Sequence, residues 1–206
     1  MILRIDYTNP EAKNFKMVLE CLKDGGVIIY PTDTVYGIGC DIYKSKAVER
    51  IAKIKGLKPE KANFSFICYD LSHLSDFTRP IETSVYRVMR RALPGPFTFI
   101  LNSNSNVPKL FKIKKKTVGI RIPDNDICRG IVKHLGNPLL TTSVHDDDEF
   151  LEYTTDPEVI HNKYENIVDI VVDGGFGNIK PSTIVDCSEG EFRVIRQGLG
   201  NIEEFL

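Results

Sequence analysis

The sequence predicts an α/β protein of one domain, a twisted mixed sheet with helices flanking it. Three observations carry this. Short apolar runs such as Val27-Ile28-Ile29-Tyr30 recur, as in strands buried on both faces. Between them lie stretches whose apolar residues return at helical spacing. No shift in composition divides the 206 residues, and the 42% that are hydrophobic suffice for one well-buried core.

Residues 2 to 7 read as a short strand. Asn9 as N-cap, with Pro10 at the first helical position, opens a helix bearing Phe15, Val18, Leu19 and Leu22 on one face, and Gly25-Gly26 stops it. Residues 27 to 30 form a central strand ended by Pro31. After a glycine-containing loop, Ser45 caps a helix with Ala47, Val48, Ile51 and Ile54 at helical spacing, ending near Lys55-Gly56. A strand follows over 64 to 69, then a short helix begun by Asp70 or Ser72. Thr83 caps a longer helix with Val85, Val88, Met89 and Ala92 inward, and Pro94-Gly95-Pro96 ends it. Strands over 97–101, 117–122, 139–142, 167–172, 182–187 and 192–196 complete the sheet, with helices near 126–135 and 156–165. The last two strands adjoin without a helix, which makes the sheet mixed rather than purely parallel.

Composition removes several classes of function. No stretch approaches the roughly 20 apolar residues of a membrane helix, and the first residues lack a signal-peptide layout, so the expectation is a cytoplasmic chain with no membrane contact. Cys21, Cys40, Cys68, Cys128 and Cys187 are odd in number and widely spaced, which suggests neither a disulfide framework nor a zinc site. The four histidines show no metal-binding spacing. A net charge of −1 gives no large field to draw the chain onto nucleic acid. The basic run Lys109, Lys112, Lys114, Lys115 and Lys116 and the acidic run Asp146-Asp147-Asp148-Glu149 read first as solvated loops.

Polar residues gather at strand margins, where ligand crevices of α/β sheets lie. Pro31-Thr32-Asp33-Thr34-Val35-Tyr36-Gly37-Ile38-Gly39 leaves a buried strand with hydroxyls, a carboxylate and two glycines that permit close approach of a ligand. Lys55 and Lys58 flank Gly56 at a helix end, where a cation caps the backbone dipole or reaches an anion. Thr98 is fixed by the rigid Pro94-Gly95-Pro96. Arg121 points opposite to Ile120 and Ile122, and its planar fork suits a carboxylate or phosphate. Thr141-Thr142-Ser143 ends a strand, Pro181-Ser182-Thr183 begins another, and Arg196 closes a third. No Gly-x-Ser-x-Gly elbow, Walker loop or Gly-x-Gly-x-x-Gly fingerprint is present, so phosphate binding would rest on dispersed side chains, acting by positioning and charge neutralisation.

Four segments, residues 25–39, Pro94-Gly95-Pro96-Phe97-Thr98, Gly119-Ile120-Arg121-Ile122-Pro123 and Pro181-Ser182-Thr183-Ile184-Val185-Asp186, stand in the order and spacing that resemble the YrdC/YciO family over nearly the whole chain. The resemblance implies a YrdC-like (DHBP synthase-like) fold with a basic concave pocket. It also implies an L-threonylcarbamoyladenylate synthase, a nucleotidyltransferase joining ATP, threonine and bicarbonate with release of pyrophosphate, for a threonylcarbamoyladenosine modification of transfer RNA. By matched position, Thr32 would bind threonine, with Arg121 and Ser182 on the threonine side. Lys55, Thr98, Ser143 and Arg196 would bind the nucleotide, Lys55 and Arg121 would be catalytic, and Mg²⁺ would share the charge.

Three positions depart from the synthase pattern. Lys55-Gly56-Leu57 stands for Lys-x-Arg, Ser143-Val144-His145 for Ser-x-Asn, and Cys68 for a His. Lys58 would supply the missing charge, though not a bidentate fork. These exchanges make the YciO-like branch the nearer resemblance. They also motivate an alternative expectation, a non-catalytic protein that binds double-stranded RNA, transfer RNA or nucleotide.

Overall fold

The computed structural model describes residues 1–6, 8, 9, 12–58, 64–108, 116–144 and 155–206. In chain order these form β1 (Ile2–Arg4), α1 (Lys13–Lys23), β2 (Ile28–Tyr30), β3 (Gly37–Asp41), α2 (Ser45–Ile54), β4 (Ser65–Ile67), α3 (Leu71–Ser75) and α4 (Thr83–Ala92). Then come β5 (Phe97–Asn102), β6 (Thr117–Arg121), α5 (Asp126–Leu135), β7 (Leu139–Ser143), α6 (Pro157–Tyr164), β8 (Ile170–Asp173), β9 (Thr183–Asp186) and β10 (Arg193–Arg196). All ten strands join one sheet in the order β1, β8, β2, β3, β7, β4, β6, β5, β9, β10. The pairs β1/β8, β8/β2, β4/β6 and β5/β9 are parallel and the others antiparallel, the mixed sheet that the sequence predicts. Among the described residues no helix is long and apolar enough to cross a membrane.

Alternation along β2 divides the core. Ile28 and Tyr30 join Phe15, Val18 and Leu22 of α1 and Cys128, Ile131 and Val132 of α5. Val27 and Ile29 face the other way, into a larger cluster with residues of α2 and α4. The cluster under α1 and α5 draws on β2, β4, β7 and β8 but not on β5, β9 or β10. That half of the face lacks helical cover from α1 and α5, and it carries Thr98 and Arg121 among Ile100 and Ile184.

Three expectations need correction. The first helix starts at Lys13 with Ala12 before it, not at Asn9, whose carbonyl instead accepts from the Ala12 N–H in a turn at 3.0 Å; Pro10 lies outside the described residues. Ser45 and Thr83 are first helical residues rather than caps, and neither preceding residue makes a side-chain capping bond. The loop read over residues 31–39 ends early, because Gly37–Asp41 is a strand in mid-sheet. Two glycines and an aspartate disguise it. Neither Gly37 nor Gly39 has a positive φ. They serve close approach instead: a Cβ on Gly39 would collide with the Leu140 carbonyl and lie 3.0 Å from the Tyr30 ring. The bare backbone lets Tyr30 reach over β3 and donate to Thr141 Oγ1 on β7 at 2.6 Å.

The connection from β8 to β9, residues 174–182, forces the sheet to bend. The two strands are seven positions apart in the sheet, about 34 Å if it were flat. The link reaches that far only when fully extended, at roughly 3.3–3.6 Å per residue. It is not extended, since Gly175 turns at φ 84° and the Asn178 side chain accepts from the Lys180 N–H. At the far edge β10 pairs with β9 through a bulge between Val194 and Arg196.

Gly39→Ala is expected to destabilise the fold by about 2 kcal/mol or more through overpacking against Leu140 and Tyr30. Urea unfolding checks it; an unchanged midpoint would contradict the close-approach role.

Candidate active site

The half of the face without cover from α1 and α5 holds two adjoining polar groups, with Thr98, Ser182 and Arg121 buried. In the first, Thr98 of β5 and Ser182 share a hydroxyl–hydroxyl hydrogen bond of 2.8 Å. Arg196 at the end of β10 donates from Nη2 to the Ser182 carbonyl at 2.8 Å and to its Oγ at 3.4 Å. Local sequence explains the placement. Pro94-Gly95-Pro96 turns the chain into β5, with the Gly95 N–H on the Ile122 carbonyl at 2.9 Å. A Cβ on Gly198 would collide with the Pro181 carbonyl, so Gly198 lets the chain after β10 lie against Pro181 and Ser182.

The second group centres on Arg121. Phe99 pairs with Ile120, which sets Thr98 beside Arg121 on one face. The Arg121 Nη2 donates to Asp33 Oδ1 at 3.0 Å and to Thr34 Oγ1 at 2.9 Å, and both members of the ion pair are over nine-tenths buried at the side chain. Arg121 Nε and Asp33 Oδ2 are buried with no hydrogen-bond partner, an unspent donor and an unspent acceptor in one pair. Burial pushes the Asp33 carboxyl above its ordinary value, and the Arg121 charge pulls it back only in part. Thr32 lies in the same turn, but its hydroxyl is engaged within it, donating to the Val35 carbonyl at 2.8 Å and accepting from the Thr34 N–H at 3.0 Å.

Lys55 and Ser143 form a third group at another margin. Gly56, at φ 63°, ends α2 in a left-handed turn closed by the Leu57 N–H on the Ala52 carbonyl at 2.9 Å. Lys55 thereby reaches back to the Ser143 carbonyl at 3.3 Å. Both line a cavity of about 230 Å³ with Ile38, Ile54, Val144 and Lys163. The same turn leaves Leu57 47% exposed, and Lys58 is exposed as well. Leu139 lines up through Ile67 with Arg121, and Ser143 follows four residues later, about 13 Å along the strand.

Six of the candidates therefore fall into two adjacent groups, Thr98–Ser182–Arg196 and Arg121, and a separate pair, Lys55–Ser143. Cys68 lies in the core with its thiol pushed up by burial. His145, four of the five lysines of the basic run and the acidic run lie outside the described residues. Sequence reasoning missed Asp33 as the partner of Arg121; the signal was a strand arginine between isoleucines, which needs a carboxylate if it turns inward. Among the described residues no group of three His, Cys, Asp or Glu side chains stands ready for a metal.

Comparison with known proteins bears on the family and the fold. A family profile described as Sua5_yciO_yrdC, telomere recombination, matches residues 20–198. The chain is 38% identical over 200 residues to the uncharacterized protein YciO of Escherichia coli K12, covering 96% of this chain and 95% of that one. The crystal structure of E. coli YciO superposes with a TM-score of 0.87 at 36% identity, over 100% of this chain and 99% of that chain. A threonylcarbamoyl-AMP synthase of Coxiella burnetii is 27% identical over 187 residues, covering 90% of this chain and 97% of that one. P. abyssi Sua5 in complex with L-threonine shares the fold, with a TM-score of 0.87 at 22% identity, over 99% of this chain and 59% of that chain.

The raised Asp33 pKa fixes the sign of a pH effect. Between its ordinary value and the higher folded one, the folded chain keeps a proton that the unfolded chain has released, so this stabilisation is present at low pH and is lost as pH rises through that window. The stability of the wild type relative to Asp33→Asn, from urea unfolding at stepped pH upward from the ordinary value of 3.8, should fall as pH rises. A flat or rising difference would remove burial as the governing cause.

Proposed function

The chain belongs to the Sua5/YciO/YrdC family, and on that premise we propose that it is a nucleotidyltransferase of the threonylcarbamoyl-AMP synthase type. The observation that carries this reading is the set of basic and hydroxyl side chains, Arg121, Thr98, Ser182 and Arg196, gathered on the half-face without cover from α1 and α5, with Lys55 and Ser143 at a second margin. The synthase name of the Coxiella burnetii relative supports it.

In this reading threonine binds at the Arg121–Asp33 pair. A zwitterionic amino acid offers a carboxylate to the unspent Nε–H and an ammonium to the unspent Oδ2, a match of sign and of hydrogen-bond type. The ammonium gives up a proton to solvent, and the free amine combines with bicarbonate to give a carbamate and water. A carbamate oxygen then attacks the α-phosphorus of ATP, the bond to the bridging oxygen breaks, and pyrophosphate leaves. Lys55 meets the charge gathering on the phosphates and Arg121 holds the amino acid, so positioning and electrostatic stabilisation supply the acceleration. Thr98, Ser143, Ser182 and Arg196 orient the nucleotide and the intermediate. Mg²⁺ would arrive on the phosphates of ATP, its usual mode of binding. The product would serve transfer RNA modification.

One observation favours a second reading. The Arg121 Nη2 and the Thr32 hydroxyl are already engaged within the protein, and Leu57 offers no charge. A chain that binds double-stranded RNA, transfer RNA or nucleotide without turnover would show affinity that weakens with salt as counterions are released.

Purified protein is expected to release pyrophosphate from ATP only when threonine and bicarbonate are both present. Lys55→Ala and Arg121→Ala should each lower kcat by roughly 10²-fold. No release above background, at any threonine concentration, would sink the synthase reading and leave salt-sensitive RNA binding as the activity to measure.

A further inference from the structure

The strap between β8 and β9 carries a feature that the reading above does not use. Phe176 is 79% exposed, the most exposed large apolar side chain among the described residues. A lone exposed apolar side chain is ordinary on a protein surface. What sets Phe176 apart is the backbone beneath it, which is held on both sides. Gly174 N–H donates to the Tyr36 hydroxyl at 3.2 Å, and that hydroxyl donates to the Gly175 carbonyl at 2.7 Å. Gly175 N–H donates to Asp173 Oδ1 at 2.9 Å, Gly177 N–H to the Thr155 carbonyl at 2.8 Å, and Asn178 N–H to the Thr34 carbonyl at 3.0 Å.

Its neighbours in sequence leave the ring bare. Gly175 turns at φ 84°, and a Cβ on Gly177 would lie 2.8 Å from the Tyr36 ring, so both positions require glycine. Ordering a backbone under an aromatic ring that stays in water gains the fold no buried area. The strap also reaches the site: Thr34, which holds Asn178, accepts from Arg121, and the strap ends at Ser182. Four residues beyond the ring stands exposed Lys180. A rigid aromatic face with a nearby cation suits a nucleobase stacked beside its phosphate.

We infer that Phe176 is a stacking platform for a nucleobase, carried by a free nucleotide or by an RNA strand, with Lys180 meeting the flanking phosphate. This rests on the nucleotide reading above and adds the element that recognises the base rather than the phosphates.

The test exploits the absence of tryptophan from the chain. Phe176→Trp places a single indole on the strap, to be titrated with ATP, with inorganic triphosphate and with a short single-stranded RNA. Saturable quenching by ATP or by RNA, and not by triphosphate, is expected. Phe176→Leu, titrated calorimetrically, should bind the quenching ligand about tenfold more weakly than wild type, with an unchanged melting temperature because the ring is exposed. An indole silent to both base-bearing ligands, equal quenching by triphosphate, or wild-type affinity in the Leu variant would each overturn the inference. Wild-type calorimetry separates the two claims: ATP heat with a silent indole overturns the platform and leaves the nucleotide reading intact. A wild type that takes up no ATP overturns the nucleotide reading, and the RNA arm then decides the platform.

Discussion

The buried contact between Arg121 and Asp33 is what the site is built on. The pairings make β3, β4 and β6 run the same way, so Arg121 ends its strand at the opposite end of the sheet from the turn that bears Asp33. In a flat sheet Arg121 would lie about 13 Å along and about 14 Å across from the start of β3. The turn between β2 and β3 and the long Arg121 side chain close that gap between them, down to the 3.0 Å ion pair. The pair thus ties opposite ends of β3 and β6, two strands inside the sheet, across the face on which Thr98 also lies. Removing one member of such a pair typically costs about 3–5 kcal/mol, because the other is left charged and unsolvated.

That tie also shapes the chemistry. A guanidinium locked by one carboxylate oxygen and one hydroxyl is pre-oriented, and the hydrogen-bond capacity that remains is directional. Beside it, Thr98 and Ser182 form a hydroxyl pair that Arg196 steadies from the sheet's edge. Lys55 stands at a second margin, just past the last turn of α2, with its ammonium on the Ser143 carbonyl. The cations are therefore dispersed, Arg121 on the face of α1 and α5 and Lys55 at the end of α2 in a cavity lined by Ile38 and Val144 of the opposite cluster, rather than concentrated in one loop. This accounts for the lack of a single phosphate-binding motif in the sequence.

How much of this was legible depends on the range of the forces involved. The buried run 27–30, the helices with apolar residues at 3.6-residue spacing and the side of the strand on which Arg121 lies follow from local pattern, and the structure keeps them. The strand over Gly37–Asp41 did not show, because its glycines are selected by the Tyr30 ring two strands from Thr141, a tertiary demand that looks like a turn locally. The start of α1 was misplaced for a similar reason: Asp6 and Asn9 are taken up by their own turn. At the site, alternation placed Thr98 and Arg121 on one face but could not give Arg121 its partner, which register and the turn between β2 and β3 decide. The Lys55 contact with Ser143 rests on a helix end meeting a strand end 88 residues later, which no local pattern encodes.

The bulge in β10 has a consequence of its own. A last strand with free N–H and C=O groups invites a further strand from another molecule. By doubling the chain between Val194 and Arg196, the bulge breaks the even ladder that such an addition needs, and the arginines at both ends of the strand place like charges where a second copy would lie. The irregularity that aims Arg196 at Ser182 thus also discourages the sheet from growing into a fibre.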